Sequence, residues 1–432
     1  MPYPGGKAVF VAMFFSLLLG AALPLDAGEK AETSGEDILR SLVREALERN
    51  PDLAAVRASA EAREFQVLPA GSLPDPMLSL SFSNLPADDF ALDKEPMTSR
   101  DIGFVQAIPF PGKRSLREEI ARLEAVQAKD RVQTLENLVR FRVKKAVFAL
   151  VENREVTRLT EINRALLGEL LSVANARYSV GKAPQQDLFK AQVEISRMGN
   201  LLISLRKKEV ALVAEVNTLR DRPVGTPVEL PAGVFVPEAF FSEEELLTIA
   251  REHNPDLRRE EDAVAQKEAA FSLAKRQIFP DFQIGAAYKF REDAPSGMER
   301  PDFVSANVMV SLPLWYARKQ DREVEAAARN LSAGKSSYRN AWNAVQNRIR
   351  DITAEIAALR QSLALYDTGL LPQAKESVAS SLAAYQVGQV EFASVLMGRI
   401  ALYQQEIDRE KAANALRTRA AELEMVVGKE LF

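Results

Sequence analysis

The 432-residue chain has no cysteine and only one histidine. The first absence excludes disulfides, zinc–thiolate sites, thiol catalysis and a lipidated N-terminal cysteine. The second leaves no His-x-x-x-His pair for a metal and no histidine for a nucleophilic triad. His253 itself precedes Asn254 at a helix break and is expected on the solvated surface. A strong excess of one charge is also missing. The 56 Lys and Arg against 60 Asp and Glu give a net charge of −4, which argues against a nucleic-acid partner, since that needs a concentrated basic face. Phosphate loops are absent as well: Gly112-Lys113-Arg114-Ser115 and Gly334-Lys335-Ser336 lack the upstream glycine. The nine methionines form no ladder for metal relay, and Glu243-Glu244-Glu245 reads as charge at a helix N-terminus. Nothing here points to an enzyme, a cofactor or a resident metal.

Long apolar runs are confined to the N-terminus. Lys7 precedes the stretch from Ala8 to Leu23, and Ala27 ends it in small residues. That is the pattern of a secretory signal peptide over residues 1–27, too short and weakly flanked for a spanning helix. Beyond it no run approaches the roughly 20 apolar residues of a transmembrane helix. The mature chain is therefore expected to be exported, and to cross a membrane only with strands. A hydrophobic fraction of 47% with 27% charged residues is that of a folded protein.

What the chain does have, it has twice. Asn50-Pro51-Asp52-Leu53 returns 204 residues later as Asn254-Pro255-Asp256-Leu257, and Pro109 returns as Pro313 at the same offset. Tyr178-x-Val180-Gly181 returns as Tyr385-x-Val387-Gly388, 207 residues on. Each half reads helix, strand, strand, long helix, turn, long helix, a tandem duplication of one supersecondary unit. The expected boundaries are 28–220 for the first repeat, 221–241 for a linker carrying Pro223, Pro227, Pro231 and Pro237, and 242–432 for the second. Helix starts repeat too. Asn50-Pro51 and Asn254-Pro255 set asparagine at an N-cap and proline at the first helical position. Ser34-x-x-Asp37 and Ser242-x-x-Glu245 resemble capping boxes.

Four segments alternate with period two. Leu78, Leu80 and Phe82 interleave with serines, and Ile102 and Phe104 oppose Val105 and Ala107. Phe282 to Phe290 and Val304 to Leu312 alternate in the same way. One apolar and one polar face over about ten residues suit a transmembrane strand between lipid and water, although a soluble half-buried hairpin reads alike. Four strands cannot close a barrel, because open edges in hydrocarbon cost several kcal/mol per unpaired backbone group. If they span a membrane, two chains would supply eight strands and three would supply twelve. The segments from Lys113 to about Val180 and from Arg318 to about Val387 read as helices on the order of 100 Å long. Each turns at a Val-Gly pair and returns through Asp187 to Leu219 or Phe392 to Val427. Leu159, Ile162, Leu166, Leu170 and Val173 mark a narrow coiled-coil stripe that must pack on other helices.

The paired Asn-Pro-Asp-Leu helices, Leu73-Pro74-Asp75-Pro76, Pro109-Phe110-Pro111-Gly112-Lys113-Arg114 and the paired Tyr-x-Val-Gly turns resemble the TolC family of outer-membrane efflux channels. The Pro-Phe-Pro-Gly-Lys-Arg stretch is similar to that of members associated with heavy-metal pumps. The resemblance implies a mainly α fold with a β-barrel part. In it, a homotrimer forms a twelve-stranded outer-membrane barrel continuous with a periplasmic α-helical barrel. It also implies contact with outer-membrane lipid, a periplasmic adaptor and an inner-membrane pump, of the RND type. By the same resemblance the adaptor docks at a tip of Val180, Gly181, Lys182, Val387, Gly388 and Gln389. A periplasmic gate would comprise Tyr385, Asp187, Glu391 and Ser394. Tyr385 matches a family tyrosine that holds the entrance closed, and Asp187 an acidic position. Val390, Ser394 and Met397 stand where better-known members carry an arginine and acidic rings. The alternative is a periplasmic adaptor or structural protein that bridges partners without spanning the membrane.

Overall fold

The computed structural model describes residues 35–230 and 241–432. The signal peptide, the Ser34 capping box, Pro231 and Pro237 lie outside the described residues. The first half runs α1 (Gly35–Arg49), α2 (Pro51–Phe65), α3 (Val67–Gly71), β1 (Met77–Ser83), β2 (Ser99–Ile108), α4 (Lys113–Ser179) and α5 (Gln185–Leu219). The second runs α6 (Glu243–His253), α7 (Pro255–Arg276), β3 (Phe282–Phe290), β4 (Phe303–Val310), α8 (Gln320–Leu365), a π-helical turn Tyr366–Leu370, α9 (Leu371–Gln386) and α10 (Phe392–Val427). The order of elements expected from the repeats is present in both halves.

α4 is one uninterrupted helix of 67 residues, about 100 Å long. Its counterpart is built in three parts of 46, 5 and 16 residues, which together have the same length. The π-helical turn sits just before Pro372, which cannot donate to the α-helical ladder. Widening one turn lets the helix pass a proline without ending. The four long helices lie side by side in the order α5, α4, α10, α8.

Three cores hold this frame. One, around Leu53, Val143, Val147 and Leu150, joins α1, α2 and α5 to the middle of α4 and includes Val228 of the linker. A second, around Leu246, Ile349, Ile352 and Leu423, joins α6 and α10 to α8 in the second half. The third lies near the far end of the hairpins and is shared by both halves, with Leu167, Ala174 and Ala191 meeting Tyr385, Phe392 and Val395.

The repeated asparagines do more than cap. Asn50 Oδ1 accepts from the Asp52 and Leu53 amides, while its Nδ2 donates to Leu219 O at the end of α5. Asn254 Oδ1 accepts from the Leu257 amide, and its Nδ2 donates to Val426 O near the end of α10 at 2.6 Å. Each thus ties the start of the second helix of its half to the last helix of the same half. Gly428, at φ 80°, ends α10 against the His253 carbonyl, which a Cβ would meet at 2.4 Å. Replacing Asn254 by alanine removes a cap and leaves a carbonyl unpaired. A loss of about 2 kcal/mol is expected, read as a lowered thermal midpoint of the detergent-solubilised protein. An unchanged midpoint would show that the clasp is not stabilising.

Candidate functional site

At one end of the frame lies a single antiparallel sheet, in the order β1-β2-β3-β4. Its register places Leu80, Ile102, Tyr288 and Val304 in one row and Leu78, Phe104, Ala286 and Ala306 in the next. These rows are largely exposed and apolar. The opposite face carries Ser79, Gly103, Ala287 and Ser305, then Ser81, Asp101, Lys289 and, at its β4 end, Phe303. Asp101 is buried there and accepts from Ser83 Oγ, Ser99 Oγ at 2.6 Å and Lys289 Nζ at 3.1 Å. The alternation expected from the sequence is therefore a two-faced wall, with β1 and β4 as edges. β4 ends at Val310, two residues short of the expected Leu312. Ser311 still faces Asp281 at the next register position, its amide donating to Asp281 O and its Oγ accepting from the Asp281 amide, and Pro313 has no amide to carry the ladder on.

The wall is pinned to the helices at one corner. Lys113, fully buried, donates to Asp281 Oδ1 and Phe279 O, each at 2.8 Å. Phe110 stacks on Phe279 with centroids 4.5 Å apart. Gly112 has φ 87°, and a Cβ there would strike the Arg276 guanidinium. The Pro-Phe-Pro-Gly-Lys stretch is thus the corner that locks β2 and α4 of one half to α7 and β3 of the other.

The far end holds the residues of the expected tip. In the first hairpin Gly181 is left-handed, its amide donating to Tyr178 O and the Lys182 amide to Arg177 O. In the second, Gly388 is left-handed, with its amide to Tyr385 O and the Gln389 amide to Ala384 O. Both are the paired 6→1 and 5→2 bonds of a Schellman cap, which needs a residue at positive φ. Val180 and Val387 project outward and are exposed.

The expected gate residues do not share one environment. Tyr385 is buried, only 3% exposed, with its ring edge-on to Phe392 at 5.5 Å, while its equivalent Tyr178 is 42% exposed. Burial first, and the nearby Asp187 second, push the Tyr385 phenol above its ordinary pKa, against the opposing pull of Arg177. Asp187 is also buried, in the first turn of α5. Burial raises its carboxyl above the ordinary range. Lys190 and Arg177 oppose this, and Glu391 adds to it. Glu391 stands exposed at the N-cap position of α10 without a side-chain capping bond, and Ser394 lies exposed on that helix.

Sequence reasoning missed the residue that joins the two hairpins. Arg177 lies with its guanidinium 4.7 Å from the centre of the Tyr385 ring. Its Nη1 donates to Tyr385 O and to Gln386 O, and its Nη2 to Lys182 O. A Cβ on Gly388 would come within 3.2 Å of it. The signal was present as a difference between the repeats: at the 207-residue offset Arg177 corresponds to Ala384. Farther along, Thr160 and Tyr403 share a hydroxyl bond of 2.6 Å, and Arg399 Nε donates to Asn163 Oδ1. The hairpins are linked along much of their length by α4–α10 contacts of this kind.

Among the described residues no helix is long and apolar enough to cross a membrane, and no acidic or histidine cluster could hold a metal ion. No curated protein matches the chain. The profile of the outer membrane efflux protein family does, over residues 42–218 and 246–429. Solved structures share the fold at low identity. The outer membrane protein VceC of Vibrio cholerae is 13% identical with a TM-score of 0.78, over 92% of this chain and 97% of that one. The MtrE outer membrane channel of Neisseria gonorrhoeae, in its open state, is 18% identical with a TM-score of 0.75, over 91% and 89%. The CmeC outer membrane channel of Campylobacter jejuni is 13% identical with a TM-score of 0.69, over 97% and 94%. The first is an outer membrane protein and the other two are outer membrane channels. The matched family is one of outer membrane efflux proteins, so the reading as an adaptor that never enters the membrane does not fit. With both halves of the chain matched and the two-faced sheet at the head of paired long hairpins, this chain belongs to the outer membrane efflux protein family.

Proposed function

We propose that three copies of this chain form the outer-membrane duct of a tripartite efflux system. In this reading twelve strands close one barrel in the lipid, and the helices continue it through the periplasm. Residues 28–220 and 242–432 act as its two repeated units, joined by 221–241. The tip residues Val180, Gly181, Lys182, Val387, Gly388 and Gln389 receive a periplasmic adaptor. An inner-membrane pump of the RND type supplies the energy. The observation that carries this reading is the sheet. It has one apolar face, one polar face and two unpaired edges, a combination that lipid tolerates only in a closed assembly.

The mechanism follows from the tip. Arg177 clasps the turn of the second hairpin to the first, with the Tyr385 ring against its guanidinium and Asp187 close by. Adaptor binding opens the duct by favouring an arrangement in which the clasp is released. Ser394, exposed on α10, contributes to the lining of the entrance.

Two measurements test this. The protein purified from outer membranes should have the mass of a trimer in detergent and conduct ions in planar bilayers. A photo-crosslinker at Lys182 or Gln389 should capture a periplasmic protein in cells, whereas one at Lys129 on the upper helix should not. A monomer without conductance rejects the duct. Equal capture at all three positions rejects the tip.

A further inference from the structure

Two carboxyl groups meet where the halves of the helical frame join. α7 packs antiparallel along the first third of α4. Thr134 Oγ1 donates to Asp256 Oδ1, Arg258 pairs with Asp130 at 3.0 Å, and Gln266 Nε2 donates to Glu124 Oε1. This register brings Asp262 of α7 beside Asp130 of α4, within hydrogen-bonding reach of it. Asp130 is buried. Its Oδ1 takes Arg258, but its Oδ2 is also buried, and among the described residues no amide, hydroxyl or cation donates to it.

The other cations near the pair have carboxylates of their own. Arg259 holds Asp256 at 2.6 Å, and Arg122 holds Glu119 at 2.6 Å. From α2, Arg63 reaches Glu124 at 3.7 Å, and from α8, Lys335 reaches Glu268 at 3.2 Å. Two carboxyls therefore share one dedicated cation, Arg258. The arrangement belongs to this joint alone. At the 204-residue offset Asp130 corresponds to Gly334, and Asp262 to Ala58.

We propose that Asp130 and Asp262 hold one proton between them, Asp262 donating it to Asp130 Oδ2, and that the joint between the two halves is thereby sensitive to pH. Without that proton a buried oxygen has no donor and a like charge beside it. Burial raises both carboxyls above the ordinary range. At Asp130 this is opposed by Arg258, then by the bond from Asp262 and by Arg259. At Asp262 the charge of Asp130 and the bond to it add to burial, while Arg122 and Arg258 oppose. A carboxyl raised in the folded state costs nothing while protonated and destabilises once ionised. The joint is thus free of that cost at and below the ordinary carboxyl range, and loosens as pH rises through the raised value.

The test is the apparent thermal midpoint of the detergent-solubilised protein from about pH 4 to about pH 8. Asp262→Asn puts a permanent N–H where the proton sits. Its midpoint should equal that of the unmodified protein in acid and exceed it by about 2 °C or more at neutral pH. Asp130→Asn should lose the same pH dependence from a lower midpoint, because Arg258 loses its anion. Comparing each variant with the unmodified protein at one pH cancels other carboxyls, Asp187 included. The infrared band of protonated carboxyls that titrates over this window should shrink by one group per chain in either variant. If one variant does not assemble, the other carries both readouts. A midpoint difference that stays constant with pH, or an undiminished carboxyl band, overturns the shared proton.

Discussion

Replacing Val308 by arginine is expected to abolish assembly in the outer membrane, while arginine at Ser305 is far milder. Val308 is 66% exposed on the apolar face of β4, opposite Ile284 of β3. Ser305 lies on the other face, opposite Ala287, in the row next to Asp101 and Lys289. An arginine held against lipid near the midplane costs about 2–4 kcal/mol. Three copies bring that to about 6–12 kcal/mol, comparable with the whole stability of an ordinary domain at about 5–15 kcal/mol. On the polar face the same side chain remains in water and pays none of this. The measurement is the yield of heat-modifiable trimer in outer-membrane fractions. Equal yields for the two variants would mean that these faces do not separate lipid from water.

Much of this wall was legible because period two is a local signal. Leu78, Leu80 and Phe82 need only their own alternation to declare a face, and Phe282 to Phe290 likewise. The long helices were legible for a similar reason, since α4 lacks any residue that would end it before Ser179. Pro372 was visible as an interruption, but the π-helical turn that absorbs it was not. Whether a proline breaks or merely widens a helix depends on packing around it. The asparagines announced their caps, yet their second bonds, to Leu219 O and Val426 O, join residues about 170 positions apart. No spacing rule reaches that far. The corner was hidden in the same way, as an ion pair between buried Lys113 of one half and partly exposed Asp281 of the other.

The tip was the least legible part. Its turns were fixed by Gly181 and Gly388, because both helices need a left-handed residue to end where they do. The tyrosines looked equivalent in sequence, and only packing separates buried Tyr385 from exposed Tyr178. Arg177 is what separates them. It lies in the last turn of α4 and serves carbonyls on both hairpins.

Removing that arginine is expected to raise the open probability of the channel in planar bilayers by at least tenfold. Each hydrogen bond from a charged donor is worth about 1.5–3 kcal/mol, less where solvent reaches it. For a partly exposed guanidinium serving three carbonyls, a total of about 2 kcal/mol is a conservative figure. About 1.4 kcal/mol is a factor of ten in an equilibrium constant. Arg177→Lys should recover little, since an ammonium cannot fork between two carbonyls and lie flat on a ring. Tyr385→Ala should act like Arg177→Ala, because both empty the same contact. Tyr385→Phe should be nearly silent, because Tyr385 acts through its ring against Phe392 and Arg177. Asp187 adds a pH dependence of known sign. Its carboxyl is raised in the clasped arrangement, by burial and then by Glu391, with Lys190 and Arg177 opposing. The clasp is therefore most stable below the ordinary carboxylate range and loses stability as pH rises through the raised value, where a buried charge must form. Conductance should increase over that window in the unmodified protein and stay flat in Asp187→Asn. A channel as quiet without Arg177 as with it, at every pH, would place the constriction elsewhere along the helices.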